Sequence, residues 1–286
     1  AKVTVSGLSQ IATSGPRDVL VCLVKPVGYT ATSASTRLYS VHLKALGPAT
    51  VDSTTRRVEC TDIRNTINLV AAGTNLLLGG DTNIYGAYEG AYIRLTESQL
   101  DNDGRFKDPL SLPGSWHTNS GYALYHSQCP CNTGCLTGFS GGGMDDRFDL
   151  WLSSYSMQDG EGLDYLEDFT IADGAYPFTY GNDGTKFNSD INAGGANGMV
   201  PIAVANALHD ASDHLPVVIT LQVPAKVVAG ASLAFGNVII GATANQNLAV
   251  SNSATPPADE LTYSLTPPAG FTAPGGTLAV DAGAAA

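Results

Sequence analysis

The sequence NLLLGGDTN, Asn75–Asn83, sets a wholly apolar run against a double glycine, an acid and an amide. A short apolar run closed by glycines reads as a central strand, covered on both faces. Upstream, Cys60, Ile63, Ile67 and Val70 recur at spacings of three and four. That is one face of a helix over Thr55–Ala72, with Gly73 as its stop signal. Two more apolar runs, Asp18–Val24 and Thr36–His42, precede the helix, and Arg147–Ser153 and Leu215–Val223 follow the central strand. All four read as core strands. Strand, helix, strand is the order of an α/β layered core. Leu100–Met144 is irregular and rich in Gly, Ser, Asn and Pro, and a loop of that length is functional or mobile. Asp159–Asn197 reads as loop and short strand.

Composition shifts after Pro224. SLAFGNVII, QNLAVSN, ELTYSL and GTLAV follow one another between Gly, Asn and Pro turns. This is the pattern of a small β-sandwich, short of the ~100 residues such a fold normally takes. The expected division is therefore an α/β domain over residues 1–224 and a partial immunoglobulin-like β-sandwich over 225–286, a spacer or a carbohydrate binder.

The 286 residues carry a formal net charge of −12, with 14 Lys and Arg and no basic run. Proteins that hold nucleic acid along its phosphates show a basic face, so a polymer-wrapping binder is excluded. If phosphate esters are handled, a metal ion must supply much of the positive charge. With 14% charged residues and abundant Gly, Ser, Thr, Asn and Ala, the chain suits a β-rich extracellular or cell-surface protein. No apolar run reaches the roughly 18 residues of a membrane-spanning helix. No signal peptide is visible at Ala1, as expected of a mature form or a fragment.

Cys129, Cys131 and Cys135 stand in QCPCNTGC. C-x-C-x3-C alone is poor zinc spacing, and zinc would need a second ligand cluster. A small disulfide loop is the preferred reading. Cys22 and Cys60 pair or simply pack.

Acids and imidazoles gather at strand ends: His42 in YSVHLKAL, Asp81 and Asn83 in LLLGGDTNIYG, Asp149 in DDRFDLWL, and Asp213 with His214 in ASDHLPVV. Ligands collect at strand ends in open α/β sheets. Asp81 and Asn83, two residues apart in an extended chain, would point the same way, and Gly79 and Gly80 allow close backbone approach. Each has a plainer reading. GDTN can be a turn, His42 a satisfied core histidine, Asp149 a strand-edge acid paired with Arg147, and Asp213 an Asx-type turn. His117, His126 and His209 have no such company and read as surface residues.

Taken together, GGDTN after an apolar strand and SDHLPV before another resemble the endonuclease/exonuclease/phosphatase (DNase I-like) superfamily. RLYSVHLKA, the TRRVECTDIRNTI helix and DDRFDLWL are similar to its other marks, in the same order, from about residue 18 to 223. The resemblance implies part of a four-layer α/β/β/α sandwich and a metal-dependent phosphoesterase, acting on nucleic acid or a smaller phosphodiester by in-line attack of water. It implies that Asp213 binds a divalent ion, Mg²⁺ or alternatively Mn²⁺ or Ca²⁺, with Asp81 and Asn83 as its further ligands. Asn83 would also hold the phosphate, and Asp81 would orient or deprotonate the water. His214, held by Asp149, would neutralise a phosphate oxygen, and His42 would act on the leaving group or the phosphate.

The family's first half carries an early asparagine and a metal-binding glutamate in a Gln-Glu pair, and no Gln-Glu pair occurs here. The chain is therefore expected to be the second half of a catalytic domain. A missing N-terminal half or a partner chain would cover its open sheet edge. The rival expectation is a non-catalytic structural or surface-assembly protein, built on a truncated nuclease-like fold and joined through strand pairing.

Overall fold

The computed structural model describes residues 2–46, 50–166 and 178–283; of the stretch 159–197, residues 167–177 lie outside the described residues. The chain forms two units, residues 1–159 with 165–220, and residues 160–164 with 221–286.

The larger unit is α/β. Its strands are β1 (Val3–Ile11), β2 (Val19–Pro26), β3 (Thr36–His42), β4 (Leu76–Asp81), β5 (Phe106–Lys107) and β6 (Asp149–Ser154), in the spatial order β1-β2-β3-β4-β6-β5. Only β3 and β4 run parallel, and helix α1 (Thr50–Ile67) lies between them in the chain. That is the crossover a parallel pair requires. One face of the central strands packs against the helix. Val19, Val21, Tyr39, Val41, Leu76, Leu78, Leu150 and Leu152 join Cys60, Ile63 and Ile67 of α1 in one buried cluster. Burying each such side chain is worth about 1.5–3 kcal/mol.

The buried face of α1 also carries Arg56, Glu59 and Arg64, all fully buried. Arg56 makes a forked pair with Glu89, Nη2 to Oε1 at 3.0 Å and Nε to Oε2 at 3.1 Å. Arg64 donates to the carbonyls of Leu95 and Glu97 at the end of α2 (Gly90–Thr96), at 3.2 and 3.3 Å. A guanidinium there satisfies carbonyls that have no helical partner.

Several sequence expectations change. The helix begins five residues before Thr55 and ends at Ile67, because Asn68 Oδ1 accepts from Arg64 Nε and Gly104 N and so competes with the helical pattern. β1 was not foreseen; nearly all its residues are exposed, and it follows no burial alternation. Leu215–Val223 is not a strand of the main sheet. Within it β8 (Val217–Val218) pairs with β7 (Phe178–Thr179), and the Val217 carbonyl accepts from Trp151 Nε1 at 2.9 Å. Helix α3 (Ile202–Ala211) leads into that segment.

In the smaller unit β9 (Val227–Ala229) pairs with β10 (Val250–Asn252), and β11 (Leu261–Tyr263) with β12 (Leu278–Val280). Val250, Leu261 and Val280 form its core. SLAFGNVII is not a strand, because Ile239 and Ile240 are exposed and bury no surface that would hold one.

Candidate active site

β3 ends on His42, β4 ends on Asp81 and β6 begins on Asp149. The register places His42 opposite Asp81 and Asp81 opposite Asp149. Residues directly opposite on neighbouring strands share a face, so the three stand in one row. That face is the one turned away from α1, since Asp81 alternates with the buried Leu76 and Leu78. Two glycines shape the strand behind the row. A Cβ on Gly80 (φ +136°) would lie 2.1 Å from the Val41 carbonyl, and one on Gly79 would lie 2.4 Å from the Trp151 ring.

His214 completes the row. Its Nδ1 lies 2.7 Å from Asp149 Oδ2 and its Nε2 lies 3.7 Å from Asp81 Oδ2. His42 Nε2 reaches the same Asp81 oxygen at 3.3 Å. Trp151 braces this from below, filling the space over Gly79 while its indole N–H holds the chain at Val217, just past His214.

Burial raises the Asp81 carboxyl above its ordinary range, and Asp149 adds to this against the opposing pull of His214 and His42. For His214 burial opposes the charge. The hydrogen bond and charge of Asp149, with Asp81 and Asp213, outweigh it and raise the pKa. An acid on Nδ1 fixes the tautomer and leaves Nε2 facing the site.

Asn83 has φ +50°, so the extended-chain rule does not apply to it. Its backbone N–H donates to Asp81 Oδ1 at 3.0 Å and its Nδ2 to the Leu43 carbonyl at 3.4 Å. GDTN is thus a turn and a site segment at once. Asp213 points elsewhere: its Oδ2 accepts from Ser140 N at 2.9 Å, a bond that lowers its pKa against the effect of burial. Arg147 does not pair with Asp149. It forms a buried, forked pair with Asp108 at 2.9 and 3.0 Å and lies over the Trp116 ring.

Two contributors lay hidden in the long loop. Ser127 Oγ donates to Asp149 Oδ2 at 2.6 Å, and Gln128 Nε2 lies 2.8 Å from His214 Nε2. The loop's length was the only signal. The three histidines assigned to the surface are all engaged. His126 is fully buried, with Nε2 2.9 Å from the Trp116 carbonyl. His209 lies between Asp190 and Asp210. His117 Nδ1 sits 2.7 Å from Asp146 Oδ1.

His117, Asp145 and Asp146 bring their ligand atoms within 4.8 Å of one another, a group able to hold a metal ion. Burial pushes Asp146 up to about 6 against the pull of His117. Cys131 and Cys135 form a disulfide, while Cys22, Cys60 and Cys129 are free.

No helix among the described residues is long and apolar enough to cross a membrane. No family model matches the chain, and no curated protein does. Solved structures do. The human Nocturnin catalytic domain with bound sulfate anion is 14% identical with a TM-score of 0.36, covering 57% of this chain and 51% of that one. Truncated Caenorhabditis elegans TDP2 is 14% identical with a TM-score of 0.35, covering 54% and 53%. A Staphylococcus aureus beta toxin is 12% identical with a TM-score of 0.34, covering 72% and 56%. The chain thus spans about half the length of these structures, and the likeness assigns no activity to it.

Proposed function

We propose that the chain carries one half of a metal-dependent phosphoesterase site of the endonuclease/exonuclease/phosphatase kind, which hydrolyses a phosphate ester by in-line attack of water. The observation that supports this is the row His42–Asp81–Asp149, closed by His214 at 2.7 Å from Asp149. Asp81, its pKa raised by burial, is placed to take a proton from water. His214, its pKa raised by its acids, would offer Nε2–H to a phosphate oxygen when protonated, once Gln128 Nε2 has moved off that nitrogen. Gln128 and Ser127 fix the His214–Asp149 pair. His42, on the other side of Asp81, serves the leaving group.

The donors fit a hard divalent ion. Asp81 faces Asp149 across adjacent strands, two acids that call for positive charge. Asn83 spends its Nδ2 on Leu43, which leaves Oδ1 as its ligand atom. Oxygen donors of this type suit Mg²⁺, Mn²⁺ or Ca²⁺. Asp81 and Asn83 would hold it, and it would supply charge neutralisation at the phosphate; Asp213, turned to Ser140 N, is not among its ligands. In this reading residues 1–224 are the catalytic portion, extracellular or at the cell surface, and residues 225–286 an immunoglobulin-like spacer. The substrate is nucleic acid or a small phosphodiester.

The test is hydrolysis of bis(p-nitrophenyl) phosphate with Mg²⁺ or Mn²⁺. Asp81→Asn and His214→Ala are each expected to lower kcat by about 10²–10⁴, and a chelator to abolish turnover. Turnover that survives in His214→Ala would sink the assignment.

One observation favours a second reading. Val3, Val5 and Leu8 of edge strand β1 are 43, 57 and 72% exposed, and Leu20 of β2 is 54% exposed. An uncovered apolar edge is a pairing surface. It would take a second copy in a structural assembly, or the other half of a catalytic domain. An inert chain that assembles through β1 supports the first.

A further inference from the structure

The motif QCPCNTGC lacked a second ligand cluster in the sequence, and the fold supplies one. Cys131 Sγ, Asp190 and His209 bring their ligand atoms within 4.8 Å of one another, and Cys135 is bonded to Cys131. Three segments meet there. Asn132 N donates to Asp190 Oδ1 at 2.6 Å, and Ile191 N donates to the Pro130 carbonyl at 2.8 Å. Asn192 Nδ2 donates to Asn206 Oδ1 at 2.9 Å, which seats α3 and with it His209.

The orientation of the imidazole points to a cation. His209 Nδ1 lies 2.7 Å from Asp210 Oδ1, so its N–H is directed there. Nε2 then turns its lone pair toward Asp190 Oδ1, 3.4 Å away. Two acceptors facing each other require a proton or a metal ion. A carboxylate on the far ring nitrogen is the usual outer support of a metal-binding histidine. The Cys131 sulfur within reach of the imidazole, with Cys135 bonded to it, favours the metal.

The geometry points to a redox-gated zinc site made of Cys131, Cys135, Asp190 and His209 Nε2, closed to metal in the disulfide form and opened by reduction. The ligand set, two thiolates with an imidazole and a carboxylate, suits tetrahedral Zn²⁺. A dithiol reductant delivers two electrons and two protons to the Cys131–Cys135 bond and leaves as its own disulfide. Zn²⁺ then displaces one proton from each thiol. The site shares no residue with the row around Asp81.

The test uses the whole chain, reduced with dithiothreitol, desalted without oxygen and titrated with Co²⁺. Zn²⁺ is then added in competition with a chromophoric chelator. The reduced chain is expected to show a thiolate-to-cobalt charge-transfer band in the near ultraviolet that Zn²⁺ removes, and the disulfide form no such band. Cys135→Ser, which cannot form the disulfide, shows the band whether or not reductant is present. Asp210→Asn leaves every ligand in place and weakens zinc by about 10–100-fold, and His209→Ala weakens it further. Asp81→Asn leaves the band unchanged, so loss of the phosphoesterase reading would not touch this one. A reduced chain that binds zinc no more tightly than the oxidised chain, or a cobalt complex without the thiolate band, overturns the proposal.

Discussion

The two faces of β4 were built for different ends. Toward α1 it presents Leu76 and Leu78, fully buried in one apolar cluster. Toward the other side it presents Leu77, Gly79 and Asp81, a face that becomes polar along its length and ends in the row of acids and imidazoles. The first face supplies stability. The second holds a buried carboxylate beside another and so consumes some of it. Charged groups that burial has pushed from their ordinary pKa mark sites of function more often than sites of cohesion.

That contrast can be broken by mutation. Leu78→Ala removes a fully buried side chain from the helix-covered face and is expected to cost about 2–5 kcal/mol in denaturant unfolding. Asp81→Asn, three residues on and facing the other way, is expected to change the sign. Relief of its burial and of the repulsion from Asp149 should leave the protein as stable or more so, by about 1 kcal/mol, while activity falls. A clear loss of stability in Asp81→Asn would mean that the row is structural cement.

A smaller effect sharpens the comparison by pH. Asp146, beside the row, is pushed up to about 6 from an ordinary 3.8. The folded chain therefore holds that proton more tightly than the unfolded chain. The group's contribution to stability is fully present below 3.8 and is lost as pH rises through about 6. The melting temperature of the parent minus that of Asp146→Asn is expected to rise as the pH is lowered from 7 to 4 in steps. A flat difference would show that Asp146 is ionised throughout, held by His117.

Much of this was legible from local pattern. The helix face Cys60–Ile63–Ile67 and the apolar run Leu76–Leu78 were visible because burial imposes a period on one element at a time. His42, Asp81, Asp149 and His214 stood out because each closes or opens such a run. Asn83 is oriented otherwise than the extended-chain reading expects, because the backbone there turns left-handed. Ser127 and Gln128 left no mark, because what makes them part of the site is a bond 22 residues away in one case and 86 in the other.

The amino-acid sequence by itself determined the α/β order, the apolar face of α1 and the four residues of the row. Only the tertiary structure decided that those four share one register, that Arg147 answers Asp108 and not Asp149, and that Cys131 pairs with Cys135 within reach of Asp190 and His209. The reason is physical. Periodicity reports which side of one element is dry, whereas register, ion pairing and ligand clusters are set by which distant segments the packed sheet brings to the same place.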